Sequence, residues 1–492
     1  VVDSATRIGP GWSADDRLAT GPIPVLRRPG QPLPSATRPP VLMHRPRPAH
    51  LPLAPAQERM WHAARAGRSA DWNVARAVRI RGAAIDVDAL VAAIGDVVAR
   101  HEPLRSRFPA TEHGPAQLVV PIADAAPDVR VCPVSEHDLP VRLVEFAGRE
   151  FDLAVHLPLR ARVYRLGPDD VVLLLVAHHI CLDGRSIAPL LRDLGAAYTA
   201  RARGRAPVFP PLPVDYADYT MWKHAQLGDY ADEWSRATQQ LRYWANTLAG
   251  RPSMLDFPLD RPRPAVPCAD GASIAVAFAP AVHAALLERA QRGRASLFMV
   301  LQTAFAVCVG WFGRSADVTV ATAVHGRDHR LLDDLVGNFA DDVLLRIRLD
   351  RAADMDELID QVRRVALAAF AHPDTPNPRL KRCLLEDART PLFQATLILE
   401  RAAAAPEPPN DPRPTVTEVP VGAPRAKHDL EFGLVERYDE HGAPAGVDGV
   451  FLYPTALFDP GTAESFVARF DAVVRALADG YRGPVRAVFD HG

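Results

Sequence analysis

Apolar positions along this chain fall into two rhythms. Leu90, Val91, Ile94, Val97 and Val98 recur at helical spacing, with Asp86 and Asp88 at the front to complement the helix dipole and Pro103 just beyond Arg100 to stop the helix. A second helical stripe, Phe466, Val467, Phe470, Val473, Val474 and Leu477, lies near the end. Between them come short runs that read as strands: residues 74–80, 163–166 and 171–176 in the first half, 318–323 and 343–349 in the second. The run 171–176 is apolar throughout, which predicts a strand covered on both faces. Helices and strands mix in both halves, so each half is expected to be an α/β sandwich. A chain of 492 residues exceeds one comfortable core, which also favours two lobes.

Proline marks the segment boundaries. Ten prolines between Pro10 and Pro48 deny regular helix or central strand to most of residues 1–50, which read as an extended interdomain linker. The opening Val1-Val2-Asp3, without an initiator Met, adds the expectation of a fragment cut from a longer polypeptide. The expected division is linker 1–50, first lobe 51–225 and second lobe 226–492, with residues 402–414 as a surface loop. Lys and Arg total 57 against 59 Asp and Glu, a formal charge of −2, which points to neither nucleic acid nor membrane. The apolar stretch 297–312 is interrupted by Gln302 and Thr303 and is short for a membrane span, so it reads as a buried helix. The five cysteines, Cys132, Cys181, Cys268, Cys308 and Cys383, are scattered and odd in number, as expected of reduced thiols in a cytoplasmic protein.

The chemistry concentrates after the strand at 171–176, in His178-His179-Ile180-Cys181-Leu182-Asp183-Gly184. Strand side chains alternate, so His178 continues the row of Val172, Leu174 and Val176 while His179 follows Leu173, Leu175 and Ala177, and only one can easily face a given cavity. Ser186 is placed to cap a helix starting at Ile187. Each piece alone also has a plain reading: a core histidine, a turn Asp-Gly pair and, for Cys181, a small turn residue. Together they form HHxxxDG, which resembles the active-site signature of nonribosomal peptide synthetase condensation domains, members of the chloramphenicol-acetyltransferase-like acyltransferases. Further blocks follow in the family's order. Residues 53–61 resemble SxAQxRLW, residues 100–108 resemble RHExLRTxF, and residues 216–222 resemble YxDYAxW. Residues 336–346 are a variant of VGxFxNTLxLR, and residues 389–394 are similar to RxPLFQ.

The resemblance implies two acetyltransferase-like lobes in a V-shaped pseudo-dimer with a central tunnel. Upstream donor and downstream acceptor carrier proteins would enter from opposite faces, with adjacent synthetase domains as further partners. No cofactor is expected on the chain itself, because the substrates arrive on the carriers' 4'-phosphopantetheine arms. Amide formation from a thioester needs a neutral amine, a place for its proton and stabilisation of the oxyanion. His179 is the candidate for the first two, and backbone N–H groups at Gly184 are candidate oxyanion donors. An α-amino group titrates near 7.7–8.0, so His179 can serve mainly to orient an amine that is already partly neutral. His178 is assigned to support of the loop. In the family Asp183 would make a structural ion pair, for which Arg100 and Arg105 are the candidate partners.

Three departures bear on substrate choice. Asp341-Asp342 stands where the family has Asn-Thr, Arg185 replaces the common Trp, and residues 372–378 replace HQDxPFE. Arg185, Asp341 and Asp342 are therefore possible tunnel residues, though for the carboxylates solvated surface is the slightly favoured reading. His325 and His329 stand at ligand-like spacing, but they fit the loop whose Gly326-Arg327 resembles the family's GR turn, and no third metal ligand is evident. Competing functions are an ester-forming or free-standing acyltransferase and a noncatalytic recruitment module. The intact motif disfavours the module and also heterocyclization, whose subclass carries an aspartate-based motif instead, and the RHExLR-like and RxPLFQ-like blocks disfavour epimerization. The run of blocks most resembles domains that join a D-terminated donor to an L-aminoacyl acceptor.

Overall fold

The computed structural model describes residues 40–490 apart from 83–84, 266–267, 375–376, 386–389, 403–414 and 423–424. All but the first residue of the loop expected at 402–414, and most of the expected linker, lie outside them. Two sheets organise the fold. In the first, the order is Thr415–Val419, Asn73–Arg81, Asp170–His178, Leu159–Gly167, Asp128–Pro133. In the second, it is Asp341–Arg348, Asp317–Val324, Ala395–Arg401, Leu430–Tyr438, Pro444–Pro454, Gly271–Phe278. Each sheet has its own hydrophobic core, giving two pseudo-symmetric α/β lobes.

The expected strands and helices form where the pattern puts them. Strand Asp170–His178 is central and buried on both faces, as its unbroken apolar run requires. Helix Val87–Arg100 starts at Asp86, whose carboxylate accepts from Ala89 N at 2.9 Å. Helix Leu297–Phe312 is enclosed in the second lobe's core. Among the described residues no single helix is long and apolar enough to cross a membrane.

One strand departs from the sequential order. Thr415–Val419, which follows four strands of the second sheet, crosses to the first lobe and pairs antiparallel with Asn73–Arg81, Ala77 opposite Val419. The chain then returns through Arg425, which bonds Asp71, and Lys427 to strand Leu430–Tyr438. This crossover ties the lobes together directly beside the histidine motif.

The end of the expected linker is also anchored. Leu42 is buried in a small cluster with Tyr219, Trp222, Leu335 and Phe339, and Trp222 Nε1 donates to Pro40 O at 2.8 Å. Asp218 takes His44 Nδ1 at 2.8 Å and Arg47 at 3.3 Å. Residues 40–47 therefore pack as part of the domain.

Candidate functional site

The motif stands at the junction of the two lobes. Strand Asp170–His178 ends at the first histidine, and a short 3-10 turn, His179–Cys181, turns the second out of the strand. His178 is fully buried; its ring packs edge-on to Phe151, and its Nδ1 accepts from Ile180 N at 3.1 Å. His179 is partly accessible and stands edge-to-face with Trp72, ring centroids 6.1 Å apart. His179 Nδ1 is enclosed without a hydrogen-bond partner, so Nε2 is the ring nitrogen that open space reaches. Gln57 braces the turn from below: its Nε2 donates to Ile180 O at 3.0 Å and its Oε1 accepts from Ala54 N at 2.9 Å.

Both imidazoles are held neutral. Burial first and the Lys427 ammonium second bring each down to about 3. The Cys181 thiol is buried and pushed well up by that burial, and it donates to His178 O at 3.0 Å, which suits a structural turn residue.

Asp183 is a hub between the lobes, and its partner is Arg327 rather than Arg100 or Arg105. Arg327 Nη2 donates to Asp183 Oδ1 at 3.0 Å, while Asp183 Oδ2 accepts from Phe339 N at 3.2 Å. Arg327 also donates to the carbonyls of Leu332 and Leu335 and stacks on Phe339 at 4.1 Å. Arg100 instead binds Asp193 at 2.7 Å and clamps helix Val87–Arg100 to helix Ile187–Arg201. Arg105 spends its donors on Ala99 O and Val120 O. Sequence offered a weak signal for the true partner: the Gly326-Arg327 turn was legible, but the 144 residues separating Arg327 from Asp183 were not bridgeable by spacing.

Ser186 also differs from expectation. Its hydroxyl makes no cap bond to helix Ile187–Arg201 but accepts from Asp183 N at 3.3 Å, lies 2.7 Å from Asp183 Oδ1 and donates to Gly337 O at 2.8 Å across the junction. Asp183 supplies the cap, accepting from Ser186 N at 2.9 Å. Gly184 and Arg185 are exposed, and a Cβ at Gly184 would lie 3.6 Å from Glu400 Oε1 of the other lobe. The open side of Gly184 thus faces the junction, with an acceptor-only carboxylate opposite.

Asp341 and Asp342 enter the site differently from each other. Asp342 pairs with Arg59, whose guanidinium also lies 4.8 Å from the Trp72 ring centroid. Asp341 is buried; burial first, aided by the Asp342 charge, raises its carboxyl to about 7. The surface reading of this pair is therefore replaced by an interior one. His325 is half-buried and its imidazole is pushed down mainly by burial, while His329 Nδ1 accepts from Leu331 N at 3.2 Å. The departures at 372–374 are structural: His372 stacks on Tyr243 at 3.7 Å, and Asp374 binds Lys223 at 2.7 Å and Arg236 at 2.6 Å. Two surface hollows, of 280 Å³ beside Cys132 and Arg162 and of 440 Å³ beside Arg100 and Phe209, lie away from the histidines.

A family model described as a condensation domain matches residues 48–489. The chain belongs to the condensation-domain family. The domain is 39% identical over 452 residues to a probable non-canonical nonribosomal peptide synthetase, CymA, of Salinispora arenicola, covering 91% of this chain and 6% of that protein. It is 38% identical over 443 residues to a dimodular nonribosomal peptide synthase of Bacillus subtilis, covering 89% of this chain and 18% of the relative. The chain thus spans under a fifth of these relatives. Among solved structures, the X-domain in complex with OxyB from teicoplanin biosynthesis matches with a TM-score of 0.83 at 31% identity, covering 93% of this chain and 99% of that one. A four-domain synthetase bound to AMP and glycine shares the fold, with a TM-score of 0.75 at 22% identity over 89% of this chain and 34% of that one.

Sequence reading missed four residues at the site: Gln57, Arg59, Trp72 and Lys427. Gln57 and Arg59 stood inside a recognised block without a role, whereas Trp72 and Lys427 lie outside every quoted block.

Proposed function

We propose that this domain forms an amide bond between a carrier-bound acyl or peptidyl thioester and a carrier-bound aminoacyl acceptor. The observation that carries the reading is His179, a neutral imidazole with one ring nitrogen closed off and the other open at the lobe junction. In that state Nε2 can accept an N–H of the incoming amine and fix its approach to the thioester carbon. Asp183 and Arg327 hold the loop from the other lobe and are not placed to touch substrate. The phosphopantetheine arms of the carriers are the groups that would deliver both substrates. Five free cysteines suit work in a reducing compartment such as the cytoplasm.

The test presents the domain with one donor-loaded and one acceptor-loaded carrier and follows both by intact-protein mass spectrometry. Transfer of the acyl group onto the acceptor carrier supports the reading; inversion of the donor without transfer would point to epimerization. A second reading, a recruitment module, is favoured by the likeness to an X-domain in complex with OxyB. It predicts no transfer together with stable binding of a partner protein.

A further inference from the structure

Strand Leu159–Gly167 carries arginine at two successive positions of one face. Side chains at every second strand position share a face, so Arg160, Arg162 and Tyr164 stand in one row, and Cys132 of the neighbouring edge strand is the register partner of Tyr164. Helix Leu139–Ala147 lies against this row and offers Arg142, Glu145 and Phe146 at helical spacing, with Arg149 just past its end. Together these elements enclose a hollow of 280 Å³ on the first lobe, lined by Arg142, Arg149, Arg162, Glu145, Tyr164 and Cys132 over the ring of Phe146.

Arginines buried beside a sheet need partners, and most of these have them. Arg160 closes the end of the helix, donating to Phe146 O at 3.2 Å, to Glu150 O at 3.1 Å and to Arg149 O. Arg162 is buried as deeply; it binds Asp128 at 3.0 Å and lies 4.1 Å from the Phe146 ring centroid. Arg142 pairs with Glu145 at 3.1 Å. Arg149 is the exception. It lies 5.5 Å from the same Phe146 ring and has no carboxylate within 4.0 Å among the described residues. Its charge falls on Arg160 as well: burial first and the Arg149 guanidinium second bring Arg160 down to about 10. The hollow thus presents three guanidiniums against one carboxylate, with a surplus of positive charge on a concave wall.

The Tyr164 hydroxyl is committed to Arg142 O at 3.1 Å, so recognition of a ligand falls to the guanidiniums. Their planar forks match phosphoryl oxygens two at a time. Three forks around one hollow suit two linked phosphoryl groups better than one. We propose that this hollow binds a diphosphate group, held chiefly by Arg149 and Arg162 with Arg142 at the rim. The group can come from free inorganic diphosphate or from a nucleoside diphosphate. The site lies away from the histidines and does not depend on the amide-forming reading. Cys132 shares its lining, so the thiol reports whether the hollow is occupied.

The test titrates the domain with pyrophosphate and, separately, with ADP by calorimetry, against sodium chloride of equal ionic strength. Arg149→Gln and Arg203→Gln, each checked for parental melting, are titrated alongside. The parent should bind one equivalent, Arg149→Gln should bind at least about tenfold more weakly, and Arg203→Gln, exposed and far along the chain, should match the parent. Tighter binding of ADP than of pyrophosphate names the nucleotide as the source, and equal or weaker binding names free diphosphate. The position is read by peptide mass spectrometry after alkylation with iodoacetate: pyrophosphate should slow modification of Cys132 at least about fivefold, as its charge replaces the attraction of the guanidiniums, and leave the exposed Cys268 unchanged. No heat beyond that of chloride would overturn the proposal. Binding that survives Arg149→Gln, or that leaves Cys132 unprotected, would put the anion elsewhere and overturn it equally, and a Cys132 that resists iodoacetate without pyrophosphate would show the hollow closed to anions.

Discussion

Asp183 shows how much of the site rests on one carboxylate. Both of its oxygens are used, by Arg327, Ser186 and Phe339, and it is almost wholly buried. Removing one partner of such a pair strands a charge, so Asp183→Asn and Arg327→Met should each cost roughly 3–5 kcal/mol in chemical denaturation. The double variant should recover part of that loss, because neither charge is then left alone. Additive losses would mean that the pair is not the unit of stability. Asp341 gives a prediction of opposite kind. Its carboxyl is raised from an unfolded value near 3.9 to about 7 in the fold, so the native state binds the extra proton between these limits. Folding stability should therefore fall as pH rises through that window. Asp341→Asn should remove the fall and be more stable than the parent at about pH 8, as read from melting curves; a parallel pH dependence in both would contradict the interior placement of Asp341. At this scale the sequence was legible where a motif named the residue, as for His179 and Asp183. It was illegible where a contact spans the lobes, as for Arg327, or depends on a ring that no motif contains, as for Trp72.

The elements that aim these residues are short loops rather than the strands and helices. Gly326 has φ +60°, and a Cβ there would lie 2.0 Å from Phe339 O, a backbone atom that cannot step aside. It is the residue that lets Arg327 turn toward Asp183 and Phe339. Gly326→Ala should therefore cost more than the roughly 1–2 kcal/mol of a left-handed alanine and should lower activity with it, measured by denaturation and product formation on the same preparation. Parental stability would show that the turn can relax without moving Arg327. The strands at 171–176 and 318–323 and the helices around Leu90 and Phe466 were readable, because local periodicity reports burial directly. The crossover strand Thr415–Val419 was not, since it pairs with a strand more than 330 positions earlier and carries four exposed residues out of five. Nothing local in such a segment says which lobe it joins.

For the whole molecule, two cores are joined at a polar seam. Asp183, Ser186 and Ala56 from one side meet Arg327, Gly337 and Asn338 from the other, with Asn338 Nδ2 donating to Ala56 O at 3.1 Å. The crossover closes the opposite side beside His179. Two lobes were expected from length and from the family's likeness, whereas the way they lock together could be seen only in three dimensions. The most direct measurement is transfer between two loaded carrier proteins, followed by intact mass, for the parent and for His179→Ala with its melting temperature checked. The parent should move the acyl group onto the acceptor carrier, and His179→Ala should do so at least about a hundredfold more slowly while remaining folded. Transfer by His179→Ala at the parental rate would contradict the central role given to that imidazole.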